Sequence, residues 1–270
     1  MDFIKSAISS NLRLDGRRLD EQYELNLVPN ISSFSHGSSQ VSFGDSVVQT
    51  TIHFSIVSPA DSAPDEGMIE LSISGTNVFD NSELSQKSYE LLCTILYDIQ
   101  FAHSFLDLKS LCILPGQFCW NVRIHLTVVK HGGSLIDALS MGVLTAFKCS
   151  EVPSVNVMLR DELESSFDSS NLQIKLSTEE NQVFEKLIES LPIVTSVGKV
   201  GKNYIWAMTK EEESCSDGTL SVAVSMTGRC LAIKSKGSCF DVNSIESIIR
   251  KSSEIALDNF NTINQCLSHP

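Results

Sequence analysis

The sequence is poor in the features that mark membrane, secreted and free nucleic-acid-binding proteins. No stretch of its 270 residues approaches the roughly 18 apolar residues that a bilayer span needs. The opening residues lack a basic segment followed by an apolar one, so a secretory signal peptide is not expected. Positive charge is scarce, because 20 Lys and Arg stand against 33 Asp and Glu, a net charge of −13. This balance argues against a protein that binds nucleic acid on its own, although a basic patch inside a larger assembly stays open.

Cysteine motifs are missing as well. Eight cysteines are scattered through the chain without a CxxC pair and without zinc-ligand spacing to histidines. We therefore expect reduced, mostly buried thiols in an intracellular protein, with no metal and no cofactor. Hydrophobic residues make up 42%, enough for a sizeable core, which excludes a disordered chain.

Strand signals open the first half. Ser39–Phe43 and Ser46–Val57 are rich in β-forming residues, and Gly44–Asp45 between them predicts a hairpin turn. Gly67–Ser74 alternates apolar and polar residues and predicts a third strand. Glu83–His103 carries apolar residues at helical spacing, so the period changes from strand to helix there.

A strand pair and a helix follow. Leu108–Leu114 and Phe118–Lys130 have strand character on either side of the turn Pro115–Gly116. Ser134 stands where it can cap a helix over Leu135–Lys148.

Ser154–Arg160 is predicted as the last strand of the first half, and the acidic loop Asp161–Ser170 after it is predicted to mark the seam between the two halves. The second half repeats this mixture of strands and helices. A short helix is then expected over Glu179–Ser190 and a long amphipathic helix over Asn243–Cys266. Four strands are expected between them, over Ile193–Val197, Tyr204–Met208, Thr219–Met226 and Cys230–Lys234. Strands and helices mixed in this way indicate an α+β fold with helices packed on sheets.

Three segments together resemble one family. They are Arg13–Asp20 (RLDGRRLD), Asp107–Ala138 and Glu211–Thr227. Their order and spacing are similar to those of the RNase PH family of phosphorolytic exoribonucleases. The DLK…W…GGSxxDA block of the second segment resembles the family's non-catalytic branch, the archaeal-type ring subunits of the RNA exosome. The resemblance implies one RNase PH-like α+β domain over residues 1–270, with two βαβ-containing halves at about 13–160 and about 170–266 and helices packed on mixed sheets.

The segment Asp15, Gly16 and Arg17 is expected to be structural. Asp-Gly favours a turn, and Arg17 can pair with a nearby carboxylate. The family likewise uses this segment to anchor the N-terminus.

Trp120 and the apolar strand around it are expected in the core.

The glycine turn before the predicted helix Leu135–Lys148 carries the first functional test. Gly132 and Gly133 precede a helix N-terminus, where free backbone N–H groups and the helix dipole favour an anion. The resemblance implies that active members hold phosphate with a Thr/Ser-Arg pair after these glycines. Here Ser134 keeps the hydroxyl, but Leu135 stands at the arginine position and cannot replace a bidentate ligand. Asp137 in the first turn suits the dipole but would repel phosphate, so capping and packing are favoured over residual phosphate binding.

At two further sites the sequence lacks residues that the resemblance implies for active members. The resemblance implies that active members use two Asp six residues apart to position metal and activate phosphate. Glu213 matches the first, the second falls on Thr219, and Asp217 is out of register by two. The resemblance also implies that active members bind RNA with two arginines on the helix before the DLK segment. Those positions align with Gln100 and His103, neither of which carries a fixed positive charge.

The resemblance therefore implies a non-catalytic subunit of the exosome's six-membered ring, supporting 3′-to-5′ RNA processing and degradation. Its implied partners are other RNase PH-like subunits, RNA-binding cap subunits and single-stranded RNA, with no membrane. Its implied location is the nucleus, including the nucleolus, and the cytoplasm, although the sequence shows no nuclear localisation signal. Two alternatives stay open: an active phosphate-dependent 3′-to-5′ exoribonuclease, and a phosphotransferase that uses the glycine turn as a phosphate cradle, for which a full P-loop is missing.

Overall fold

The structure is a computed structural model that describes residues 2–75, 86–101, 107–159, 172–180, 182–237 and 240–268. The strands are β1 (Leu25–Pro29), β2 (Gly37–Phe43), β3 (Ser46–Val57), β4 (Met68–Gly75), β5 (Cys112–Leu114), β6 (Phe118–Lys130), β7 (Pro153–Leu159), β8 (Leu172–Glu180), β9 (Ile193–Val200), β10 (Asn203–Trp206), β11 (Gly218–Val224) and β12 (Cys230–Gly237). The helices are α1 (Asp2–Ser9), α2 (Gln86–Gln100), α3 (Leu135–Lys148), α4 (Gln182–Ser190), α5 (Lys210–Cys215) and α6 (Val242–Ser268).

The first sheet is mixed and has the strand order β1-β2-β3-β6-β4, with the short β5 added to β6. The predicted hairpin is confirmed: Phe43 pairs with Ser46 across the turn, and Gly44 has the positive φ of 58° that such a tight turn requires. Along β3 buried and half-buried residues alternate, so one face of the sheet points into the core. The strand β4 runs parallel to β6.

The second sheet is antiparallel, with the order β10-β9-β11-β12. The helix α3 lies between the sheets, because it packs on β2 and β3 and also on β9. All but one of the residues from Leu135 to Phe147 are buried, as expected for a helix covered on both sides. The helix α6 covers β9 and β11, while α2 joins β4 to the edge strand β12. This places the N-terminus of α3 at the junction of the two sheets.

Most predicted elements are confirmed, including α3 at its predicted bounds, the long C-terminal helix and the four strands of the second half. The predicted α+β class with helices on mixed sheets is confirmed too. Trp120 lies in the core with 7% of its surface exposed, against the rings of Phe54 and Phe184 at centroid distances of 6.3 and 5.6 Å.

Two predicted segments are wrong in part. Leu108–Leu111 forms a 3-10 helix, and only Cys112–Leu114 joins the sheet. The Asp107 side chain accepts a bond from the Lys109 N–H at 3.2 Å, and this local turn competes with strand pairing. Residues 179 and 180, predicted at the start of a helix, end the strand β8, which pairs antiparallel with β7. The connecting loop Asp161–Ser170 lies outside the described residues.

Candidate functional site

The four family-site positions meet at one cavity. Ser134, Leu135, Glu213 and Thr219 all line a cavity of about 670 Å³, which is bounded by α2, the start of α3, the end of α5 and the facing ends of β11 and β12. In the second sheet β11 lies next to β9, and α3 packs on β9. This arrangement brings the start of α3 close to β11. The cavity has the size of a small-molecule site, so the fold retains a concave site at this position.

The turn before α3 is fixed by backbone contacts. Gly133 has φ 115°, and a side chain there would strike the carbonyl of Met208. The Ser46 hydroxyl donates to the Gly133 carbonyl at 2.6 Å and accepts from the Gly132 N–H at 2.9 Å. The two glycines are therefore required by close approach and by conformation, independently of any phosphate.

Ser134 does not cap α3 with its side chain, contrary to the prediction. It occupies the N-cap position in the left-handed conformation, with φ 45°, and its hydroxyl donates to the Met208 carbonyl at 3.3 Å. Its backbone N–H instead donates to Oε1 of Glu213 at 2.6 Å. The left-handed backbone turns this N–H toward α5, so a carboxylate distant in sequence satisfies one donor at the helix start.

The position of Glu213 is set by its neighbour Glu212. The short helix α5 begins with a capping box in which Thr209 and Glu212 exchange hydrogen bonds. The buried Glu212 carboxylate also receives two bonds from the guanidinium of Arg13, at 2.9 and 2.6 Å. That guanidinium is fully buried and donates further to the Ala207 carbonyl at 2.8 Å. Sequence reasoning missed this ion pair, although Arg13 opens the RLDGRRLD segment.

Asp15, Gly16 and Arg17 complete the same anchor. The Arg17 guanidinium binds Oδ2 of Asp15 at 2.8 and 2.6 Å and lies 3.4 Å from the ring centroid of Tyr23. Gly16 has φ 80°, and Arg17 also donates to the Ala207 carbonyl at 3.0 Å. These contacts hold the N-terminal segment against α5 and agree with a structural role.

Two carboxyl groups near the cavity have strongly perturbed pKa values. Burial raises the pKa of Glu213 to about 7, opposed by the Ser134 N–H and by the charges of Lys236 and Lys210. Burial also raises the pKa of Asp137 to about 7, and the nearby Glu213 charge adds to this effect while Ser196 opposes it. Neither oxygen of Asp137 makes a well-formed hydrogen bond. The Glu213 charge therefore disfavours ionisation of Asp137, and a charged carboxylate here disfavours an additional anion.

The opposite wall does not supply a second acid to the site. Thr219 lines the cavity with a hydroxyl. Asp217 reaches the cavity edge, but its carboxylate accepts from the Gly201 N–H at 2.7 Å and pairs with Lys5 at 3.2 Å. No group of three or more His, Cys, Asp or Glu side chains among the described residues is arranged to hold a metal. One carboxylate already bound to a backbone N–H, beside one hydroxyl, does not fit a divalent cation.

The two positions aligned with the family's RNA arginines differ in outcome. Gln100 is fully buried, and its Nε2 donates to the carbonyls of Ser140 and Pro192 at 3.3 and 3.0 Å. Its side chain therefore serves the packing of α2 against α3 and β9. His103 lies outside the described residues.

Comparison with known proteins gives matches along most of the chain. Two family models match: "3' exoribonuclease family, domain 1" over residues 21–153 and "3' exoribonuclease family, domain 2" over residues 190–255. The chain is 30% identical over 241 residues to the exosome complex component RRP45A of Arabidopsis thaliana, covering 87% of this chain and 75% of that protein. It is 24% identical over 264 residues to the exosome complex component Rrp42 of Thermococcus kodakarensis, covering 94% and 92%.

A solved structure shares the fold. It is described as the Archaeoglobus fulgidus exosome with RNA bound to the active site, and it superposes with a TM-score of 0.74 at 21% identity, covering 97% of this chain and 96% of that one. Within the described part of the present chain, no helix combines the length and apolar character needed to cross a membrane.

Proposed function

This chain belongs to the RNase PH family of 3′ exoribonucleases, and we propose that it is a non-catalytic subunit of an RNA exosome ring. In this role it contributes structure to a six-membered ring of RNase PH-like chains that guides single-stranded RNA toward a nuclease. Support comes from similarity to curated exosome components of a plant and an archaeon. The location that follows is that of the eukaryotic complex, the nucleus with the nucleolus and the cytoplasm.

One contact carries the non-catalytic part of the proposal. The N–H at the start of α3, which is the natural donor for an anion at this turn, is occupied by Oε1 of Glu213 at 2.6 Å. A phosphate at the same donor would have to displace this carboxylate and would be repelled by it. The chain thus places its own carboxyl group where an attacking phosphate would need to bind.

The neighbouring positions point the same way. Leu135 is buried, with 4% of its surface exposed, so the position of the family's phosphate arginine belongs to the packing of α3. Thr219 offers a hydroxyl where active members have a second carboxylate, and it cannot act as a general base at neutral pH. We therefore expect no phosphorolysis by this chain, because position 135 offers no arginine and the cavity offers no second carboxylate at position 219.

The assembly part is tested by affinity purification. The tagged full-length chain is expressed in its own cells, isolated under native conditions, and its partners are identified by mass spectrometry. We expect other RNase PH-like chains and RNA-binding cap proteins in stoichiometric amounts. Recovery of the chain alone, or only as a homo-oligomer, would contradict a ring subunit. Association with partners stabilises the folded state of a subunit, so the purification keeps the complex native while its partners are identified.

A further inference from the structure

Two cysteines face each other across a strand pair far from the cavity. In the hairpin formed by β5 and β6, Cys112 and Cys119 are direct cross-strand partners. Partners in an antiparallel pair have Cα atoms about 4.5–5.5 Å apart, and a disulfide accepts Cα separations of about 4.4–6.8 Å. Side chains of directly opposed residues also lie on the same face of the sheet. The two thiols are therefore placed for a bond with little movement of the backbone.

Both thiols are free, and one is open to reagents. Cys119 is fully buried, whereas Cys112 is half-buried, beside the exposed turn at Pro115 and Gly116. Among the cysteines in the described ranges, no other two are paired by strand register. A small oxidant can thus reach Cys112 first, while Cys119 is shielded behind it.

We propose that Cys112 and Cys119 form a redox site at which a disulfide oxidant such as oxidised glutathione produces a reversible cross-strand disulfide. In the first step the Cys112 thiolate attacks the oxidant, forming a mixed disulfide and releasing one glutathione thiolate. In the second step the Cys119 thiolate attacks Sγ of Cys112, forming the protein disulfide and releasing the second glutathione thiolate. The protein loses two electrons, the two glutathione molecules gain them, and the protons of the two protein thiols pass to the two released thiolates.

The strand pairing favours the disulfide, whereas neither thiol is unusually reactive. Burial raises the pKa of both thiols, with the charge of Asp65 adding to the effect on Cys112. Exchange is therefore slow at neutral pH, and equilibrium is the quantity to measure.

The disulfide would cross-link one surface unit, which consists of the hairpin turn and the loop that precedes it. The turn of this hairpin is joined to the preceding loop, since the Gly116 N–H donates to the Pro64 carbonyl at 2.8 Å and Lys109 pairs with Asp65 at 2.8 Å. Oxidation would close the eight-residue hairpin. Such a cross-link removes conformational freedom from the unfolded chain and thereby stabilises the folded hairpin.

The test measures the disulfide directly. The full chain is equilibrated in buffers of reduced and oxidised glutathione, free thiols are alkylated, and tryptic peptides are weighed. Both cysteines fall in one peptide, Ser110–Arg123. We expect this peptide to appear without alkyl groups and lighter by two hydrogen atoms, at a more reducing glutathione ratio in the folded chain than in the same chain in urea. The oxidised protein should also melt at a higher temperature.

Variants supply the controls. Cys112→Ser should abolish the two-hydrogen loss, whereas Cys230→Ser, which removes another half-buried thiol, should leave it unchanged. The proposal is overturned if native Cys112 stays as a mixed disulfide with glutathione while Cys119 is alkylated. It is equally overturned if the folded and urea-unfolded chains form the peptide disulfide at the same glutathione ratio.

Discussion

Replacing Asp137 with asparagine isolates the energetic consequence of a buried carboxyl group that makes no well-formed hydrogen bond. Only 2% of Asp137 is exposed, and burial raises its pKa from 3.8 to about 7. At about 1.4 kcal/mol for each pKa unit, keeping this group in the folded protein at a pH above both values costs about 4 kcal/mol. Asparagine has nearly the same shape and no charge, so Asp137→Asn removes this cost.

The sign of the pH dependence follows from proton binding. Between the unfolded pKa near 4 and the folded pKa near 7, the folded chain keeps the proton that the unfolded chain releases. Stability contributed by this group is therefore complete at low pH, falls as the pH rises through this window, and is lost above about pH 7. The gain in the variant should be near zero at about pH 4 and approach about 4 kcal/mol at about pH 8.

Urea denaturation of both proteins across this pH range measures the difference. Asp61→Asn, a change in an exposed loop, serves as the matched control and should follow the wild type. If Asp137→Asn differs from the wild type by less than about 0.5 kcal/mol at every pH, the buried carboxyl is not held at a cost and the reasoning is refuted.

Three substitutions test the packing beside the site and in the core of the protein. Glu212→Gln removes the nearest charged partner of the buried Arg13 guanidinium and leaves only Asp15, 3.8 Å away. It should lower the free energy of unfolding by about 3 kcal/mol in urea, whereas the exposed Glu211→Gln should change it little. Gly133→Val forces a side chain into the Met208 carbonyl at positive φ and should lower the melting temperature; an unchanged value would contradict the tight turn. Trp120→Ala should cost about 3–5 kcal/mol, and a value near zero would show that its ring is not packed in the core.

Local signals were sufficient for much of the fold. The helix α3 was predicted at its observed bounds because two glycines precede an apolar run that ends in Lys148 and Cys149. The segments α1, β1 and β8 were not predicted, since α1 is short and the two strands form by pairing with β2 and β7. That position 135 carries leucine, where the resemblance implies a phosphate-binding arginine, is read from the sequence alone.

The contacts that define the site were not visible in the sequence. The bond from the Ser134 N–H to Glu213 joins residues 79 positions apart, and the Arg13 to Glu212 pair joins residues 199 apart. No local pattern encodes such pairs, because they arise only when the two sheets close around α3. Ser134 was predicted as a side-chain cap because its residue type favours capping. In the structure the turn imposes a left-handed backbone on Ser134, which the sequence alone does not show.

The central claim is that this chain lacks phosphorolytic activity of its own, and one assay tests it most directly. The purified chain is incubated with a labelled single-stranded RNA, inorganic phosphate and magnesium, beside an active family member as positive control, and nucleoside diphosphates are separated and counted. We predict that the positive control releases nucleoside diphosphates and that this chain releases none. Phosphate-dependent release by this chain that disappears in Glu213→Gln would contradict the account, because it would show that Glu213 serves catalysis instead of occupying the anion site.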